Sequence, residues 1–385
     1  MNIPFCKPYY SGNEIKYIKK AMRSGKLSGN GKITQKCQEI FENKYQFKKC
    51  FLTTSCTDAL EMSALLLEIR PGDEVIMPSY TFVSTANAFT LRGAKIVFID
   101  SRADYPGIDE SKIEESITPK TRAIVPVHYA GIACDMDKIM AIAKKHSLYV
   151  VEDAAQAIDS YYIGKSGFKR PLGGIGHLAA FSFHDTKNII AGEGGLLVIN
   201  DDRYIKSAEI IWEKGTNRAA FWRGEVDKYH WVDIGSSFLP SEITAAFLLA
   251  QLEILEEIQE RRKKIWSCYD ENLQNLERKN IIRLPIIPKY ATNNAHMYYI
   301  ICRDVSERGA LIAYLKRNGI LSVFHYDGLH QSEYYKKIQG CRELPFCEKY
   351  SDCLLRLPMF YELKLRDVER VSKQISRFYD SNRKK

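Results

Sequence analysis

Between residues 50 and 200 the chain alternates two textures, and few folds absorb such alternation. Short runs at 74–78, 95–100, 121–128, 147–153, 178–184 and 195–200 are almost continuously apolar. Between several of them lie segments with a helical apolar period, at 57–69, 82–91 and 136–145. A strand that is apolar at nearly every position is covered on both faces. Strand–helix alternation builds a largely parallel sheet between layers of helices. The predicted class is α/β with a mostly parallel central sheet. In such sheets ligands bind beyond the carboxyl ends of the strands, so polar residues there carry the most weight.

The 385 residues suffice for more than one domain. A long helix starting near 241, with an apolar stripe from Ala245 to Leu255, is expected to link a large domain (1–250) to a smaller one (251–385). In the smaller domain, 296–302 and 321–326 read as strands, and 308–318 and the segment from about 365 as helices. No G-x-G-x-x-G or Walker loop is present. The net charge is +9, but the two parts carry +2 and +7, with Arg383-Lys384-Lys385 at an end expected to fray. A basic stripe with interleaved aromatics is missing, so nucleic acid is not an expected partner. No apolar stretch approaches the ~18 residues of a membrane span, and no secretory pattern opens the chain. The ten cysteines form no C-x-x-C, and Cys341, Cys347 and Cys353 have the wrong spacing for zinc. The expectation is a cytoplasmic protein with reduced thiols, no bound metal and no membrane insertion.

Four stretches could carry chemistry. Asp153 ends the apolar run Tyr149-Val150-Val151-Glu152 and is either a site carboxylate or the cap of a following helix. Lys187 follows another apolar run, with Gly192, Gly194 and Gly195 nearby; it is a solvated surface lysine or an amine in a dry pocket with a lowered pKa. Thr53–Asp58 opens a helix, where hydroxyls and free N–H groups suit a phosphate or serve merely as caps. Phe82 lies past a strand end, as a stacking surface or a core aromatic. A pyridoxal phosphate site needs all four: a lysine, a carboxylate for the ring nitrogen, a phosphate cup and an aromatic face.

Longer stretches carry a resemblance. They are Ser24-Gly25-Lys26-Leu27-Ser28-Gly29, residues 71–83, Val125-Pro126-Val127-His128-Tyr129-Ala130-Gly131, Glu213-Lys214-Gly215-Thr216-Asn217-Arg218 and Asp233-Ile234-Gly235-Ser236-Ser237. From Ile3-Pro4-Phe5 to Leu355-Arg356-Leu357-Pro358 the chain resembles the nucleotide-sugar aminotransferases of the DegT/DnrJ/StrS type, within the aspartate aminotransferase superfamily. The resemblance implies the fold type I aminotransferase architecture and a pyridoxal 5′-phosphate cofactor. It implies a cytoplasmic homodimer with shared active sites. Within the family the chain is most similar to the subgroup that moves the amino group of L-glutamate to C4 of dTDP-4-dehydro-6-deoxy-D-glucose. The product there is the 4-amino-4,6-dideoxygalactose nucleotide, for bacterial surface polysaccharide.

By the same resemblance Lys187 is the Schiff-base lysine, Asp153 pairs with the ring nitrogen, and Gln156 stands beside the phenolic oxygen. Phe82 stacks on the ring. Thr57, the N–H of Asp58, and Ser182 hold the phosphate, while His325 and His330 border the sugar. Where the wider family has Gly-x-Asn-x-Arg, this chain has Ser237 and Leu239, so the hydroxyl of Ser237 would reach the partner's phosphate over a shorter span. Three alternatives remain: the 4-aminoglucose epimer or another keto-sugar, a sugar dehydrase, and a non-catalytic sugar-binding relative. Lys187 speaks against the second, and the full Lys187, Asp153 and Ser182 set against the third.

Overall fold

The computed structural model describes residues 2–165, 167–340 and 342–382. Cys341 and the basic end at 383–385 lie outside the described residues. In chain order the strands are β1 (Lys49–Thr53), β2 (Glu74–Pro78), β3 (Lys95–Ile99), β4 (Thr121–Ile124) and β5 (Tyr149–Asp153). A separate hairpin of β6 (Tyr161–Ile163) and β7 (Lys169–Pro171) follows, then β8 (Leu178–Ser182) and β9 (Gly195–Ile199). Seven of them form one mixed sheet in the order β1-β9-β8-β5-β4-β2-β3. Within it β9 alone runs against its neighbours, β8 and β1. The other four pairings are parallel. This is the α/β architecture with a mostly parallel sheet that the alternating textures predict.

The crossover helices have local causes. The helix Cys56–Leu66 starts where the Ser55 hydroxyl accepts the Asp58 N–H. The helix Met136–Lys145 starts where Asp135 accepts the Lys138 N–H, and it ends on Lys144 and Lys145, which suit its C-terminal dipole.

Three expectations need correction. The run 121–128 is a strand only to Ile124, because Pro126 has no N–H to give a ladder; one bridge, Val127 to Asp153, continues the pairing. The run 321–326 is no strand, and only Val323 pairs, with Arg356. The long helix near 241 is two helices, Glu242–Glu253 and Leu255–Arg278, parted at Ile254 (φ −115, ψ 15). The apolar stripe changes core only after the break, since Leu255 and Ile258 beyond it still face the main core. Ala245, Leu248 and Leu249 face the main core, while Ile265, Tyr269, Leu273 and Leu276 enter a second one.

That second core gathers β10 (Tyr298–Ile301), β11 (Leu354–Leu357) and the helices Val305–Arg317 and Leu365–Asn382. Ile3 joins it from the N-terminus, its N–H bonded to the Gly319 carbonyl at 2.8 Å. No helix among the described residues is long and apolar enough to cross a membrane.

A buried carboxylate pins the sheet to its return loop. Glu152 is fully enclosed and accepts from the N–H groups of Gly173, Ile175 and Gly176 at 2.8, 2.7 and 2.6 Å. His128 Nε2 lies 2.9 Å away, and its Nδ1 accepts the Cys134 N–H, so the Nε2 proton points at Glu152. Burial alone would raise the Glu152 pKa. The His128 hydrogen bond and the backbone donors outweigh it and hold the pKa below its ordinary 4.5. The stabilisation is therefore complete above the ordinary value and lost as pH falls through the depressed one.

Replacing Glu152 with Ala strands four donors in the interior. At pH 7 it should cost about 3 kcal/mol or more, read as a lower urea midpoint, and the gap to the parent should narrow in acid. Equal midpoints at pH 7 would contradict this account.

Candidate active site

Strand register brings the candidate groups to one edge of the sheet. Asp153, the last residue of β5, stands opposite Ala180 of β8. Ser182, the last of β8, stands opposite Gly195, the first of β9. Gly195 in turn faces Thr53, the last of β1. A cavity of about 570 Å³ opens at this edge. Of the residues expected to form the site, Thr57, Phe82, Asp153, Gln156, Ser182, Lys187 and His325 line it. A larger cavity of about 890 Å³, around Arg283 and Tyr379, has none of them.

Asp153 caps no helix: turns follow it. Its carboxylate is 5% exposed and accepts from Thr85 Oγ1 at 2.6 Å and from the Ala155 N–H at 3.1 Å. These bonds fix its orientation and leave it facing the cavity. Phe82 is no core aromatic; its ring is 55% exposed at the cavity wall.

Lys187 rides a loop closed at its base. The Phe183 and Ala191 N–H groups bond to the Gly194 and Phe183 carbonyls at 2.8 and 2.7 Å, and Asp185 N–H bonds to Gly192, whose φ of +77 suits glycine. The Lys187 side chain enters the enclosed pocket, where burial disfavours the ammonium and lowers its pKa; Cys56 and Asp153 oppose this, and Arg356 adds to it. A larger fraction of neutral amine at neutral pH follows.

The helix Cys56–Leu66 presents its N-terminus to the same space. Its first N–H groups have no partner inside the helix, as at any helix start. The Asp58 N–H, an expected phosphate donor, is held by Ser55 Oγ at 3.1 Å, and Asp58 does not line the cavity. Those of Cys56 and Thr57 are the better placed. Thr57 Oγ1 donates to Ser84 Oγ at 2.8 Å, which fixes the hydroxyl at the rim.

His325 and His330 part company. His325 lines the cavity, with Nδ1 2.6 Å from the Tyr129 hydroxyl; burial pushes its pKa well down. His330 is 1% exposed outside the cavity, bonded through Nδ1 to Ser79 Oγ at 2.7 Å and through Nε2 to Glu348 at 3.2 Å. It ties the loop to Ser79, just past β2, and is not among the residues that line the cavity. Ser237 is exposed away from this chain's cavity, paired through its backbone with Glu213.

Sequence reasoning passed over Thr85, Tyr326 and Arg356, which also line the cavity. Arg356 donates to the Phe324 carbonyl at 3.3 and 3.2 Å and lies over the Phe5 ring at 4.8 Å. Among the described residues no carboxylate pairs with it. Its position is set by the pairing of 323 with 356, a contact across 33 residues that no local pattern announces.

The chain matches the DegT/DnrJ/EryC1/StrS aminotransferase family over residues 8–376. It is 32% identical to the uncharacterized protein MJ1066 of Methanocaldococcus jannaschii, over 99% of this chain and 98% of that one. Among solved structures it is similar to Spr1654 from Streptococcus pneumoniae in its PMP form, with TM-score 0.89, 28% identity and coverage of 97% and 98%. The PLP form of the same protein gives TM-score 0.87, 27% identity and coverage of 97% and 100%. The aminotransferase TlmJ from Streptoalloteichus hindustanus gives 0.88, 28%, and 97% of each chain.

A Cβ at Gly195 would lie 2.3 Å from the Ser55 carbonyl carbon and oxygen and 2.5 Å from the Cys56 nitrogen. Gly195→Ala must therefore push β9 away from the helix start. It should lower the denaturation midpoint by the equivalent of about 1–3 kcal/mol. An unchanged midpoint would show that the approach is looser than drawn.

Proposed function

This chain belongs to the DegT/DnrJ/EryC1/StrS aminotransferase family, and on that premise we propose that it moves the amino group of L-glutamate to C4 of dTDP-4-dehydro-6-deoxy-D-glucose. The product would be dTDP-4-amino-4,6-dideoxy-D-galactose, as a dTDP-4-amino-4,6-dideoxygalactose transaminase makes it. An aminotransferase of this family works with pyridoxal 5′-phosphate. The cavity fits that group in donor chemistry. An amine, an oriented carboxylate, an exposed aromatic face and a helix N-terminus with free N–H groups meet in one enclosed space. The observation that carries the reading is the presence of Lys187 and Asp153 in that single cavity.

When bound, the cofactor supplies an electrophilic carbon and an electron-accepting ring, which stores the amino group between two half-reactions. Asp153 meets the ring nitrogen and favours its protonated form. The Thr57 hydroxyl, Ser182 and the start of the helix Cys56–Leu66 hold the phosphate, and Phe82 packs on the ring. Lys187 would hold the cofactor, and its amine, once released, would move the proton at the substrate carbon. The face from which it delivers that proton to C4 sets galacto or gluco configuration. The guanidinium of Arg356, which pairs with no carboxylate among the described residues, grips a carboxylate of the amino donor.

We place the work in a homodimer. Trp222, Tyr229, Trp231, Val232 and Ile234 are all exposed on one stretch, an apolar set that a second copy would cover. Ser237 lies just beyond it and would reach the partner's cofactor phosphate. The subgroup assignment rests on the resemblance, and it is supported by Gly235-Ser236-Ser237, a form that the galactose-type transaminases share. Surface polysaccharide synthesis and a cytoplasmic setting follow from the subgroup.

Lys187→Ala should abolish amino transfer and the visible absorption that glutamate bleaches in the parent. Product NMR should show an axial C4 amine; an equatorial one would move the reading to the glucose epimer. Arg356→Gln should raise the KM for glutamate about 10- to 100-fold, the loss of one charge-assisted contact, while the keto-sugar KM stays within about twofold. Turnover by Lys187→Ala would overturn the whole reading.

A further inference from the structure

Tyr326 belongs to a closed ring of contacts that the proposed roles leave unused. Gln156 Oε1 accepts the Ala130 N–H at 2.6 Å, and a backbone N–H can only donate, so the amide orientation is fixed. The other end, Gln156 Nε2, donates to the Tyr326 hydroxyl oxygen at 3.1 Å. Tyr129, next to Ala130, bonds through its hydroxyl to His325 Nδ1. The His325 ring stacks on Tyr326 at 3.6 Å between centroids. The ring closes, and the Tyr326 side chain is held from both sides at the cavity wall.

This leaves one group unspent. The Tyr326 oxygen accepts from Gln156, so its own proton is available to another acceptor. Among the described residues no acceptor takes it. Burial also holds the phenol in its protonated form at working pH.

We propose that Tyr326 contacts the cofactor itself, its hydroxyl donating to the same phenolic oxygen that Gln156 meets. The inference rests on the aminotransferase reading and on Gln156 standing beside that oxygen. Two donors only 3.1 Å apart converge on one space, and an oxygen bearing negative charge takes both. The consequence is electronic. The proton on the nitrogen joining Lys187 to the cofactor is stabilised by that oxygen's charge. A second donor on the oxygen competes for the charge and lowers the pH at which the proton leaves.

The test is a pH titration of the visible absorption of the holoenzyme, parent against Tyr326→Phe. The variant keeps the ring and its stacking on His325, so a packing role predicts no change. The expected result is an upward shift of the midpoint by about one to two pH units, the scale of one hydrogen bond to a charged acceptor. An unmoved or lowered midpoint overturns the proposal, and a raised keto-sugar KM alongside it would assign the hydroxyl to the sugar instead. If Tyr326→Phe retains no cofactor, replacing Tyr326 with 3-fluorotyrosine gives a second reading: its more acidic hydroxyl is the stronger donor, so the midpoint should fall, and an unmoved or raised midpoint overturns the proposal. A parent that shows no Lys187-dependent band would instead sink the aminotransferase reading, so the two failures are distinguishable.

Discussion

One close approach organises the site: β9 meets the start of the helix Cys56–Leu66 at Gly195, where no side chain has room. The contact brings the free N–H groups at the helix start against the strand that pairs with β8, the strand ending in Ser182. It does so on the edge where β5 ends in Asp153. A sheet whose neighbours are mostly parallel gathers its carboxyl ends on one side. Reversal of β9 alone lets the chain turn back there and hang the Lys187 loop above the edge. The cavity is thus a product of topology before it is a product of side chains.

Electrostatics then sorts two adjacent carboxylates by strand alternation. Glu152 points away from the cavity into a ring of backbone donors and His128, and its charge is spent on holding the sheet together. Asp153 points into the cavity with two bonds, which leaves charge to offer a ligand. Lys187 enters a space whose burial and whose Arg356 both favour the neutral amine. On the proposed reading, these are the conditions a nucleophilic lysine needs.

Much of this was legible in the sequence because it is local. The apolar runs marked β2, β5 and β8, and the residues just after them meet in the cavity; β9 runs the other way and brings Glu193, just before its start, to the same place. What escaped depends on distant pairing or on geometry finer than a period. Arg356 reaches the cavity through β11 and its bridge to 323. Thr85 matters because one turn of helix aims it at Asp153. The bend at Ile254 could not be read from an apolar stripe that continues on both sides of it, since Leu255 and Ile258 beyond the bend face the same core as Leu248 and Leu249 before it. The resemblance places His330 beside the sugar, together with His325; the loop between them turns and buries His330 against Ser79.

The central claim is that Lys187 holds pyridoxal phosphate in the cavity it shares with Asp153. The most direct measurement is to load the purified protein with the cofactor, reduce it with borohydride and map the digested peptides by mass spectrometry. The account predicts one phosphopyridoxyl adduct, on Lys187, that prior bleaching with L-glutamate prevents. An adduct on another lysine, or none, would contradict it.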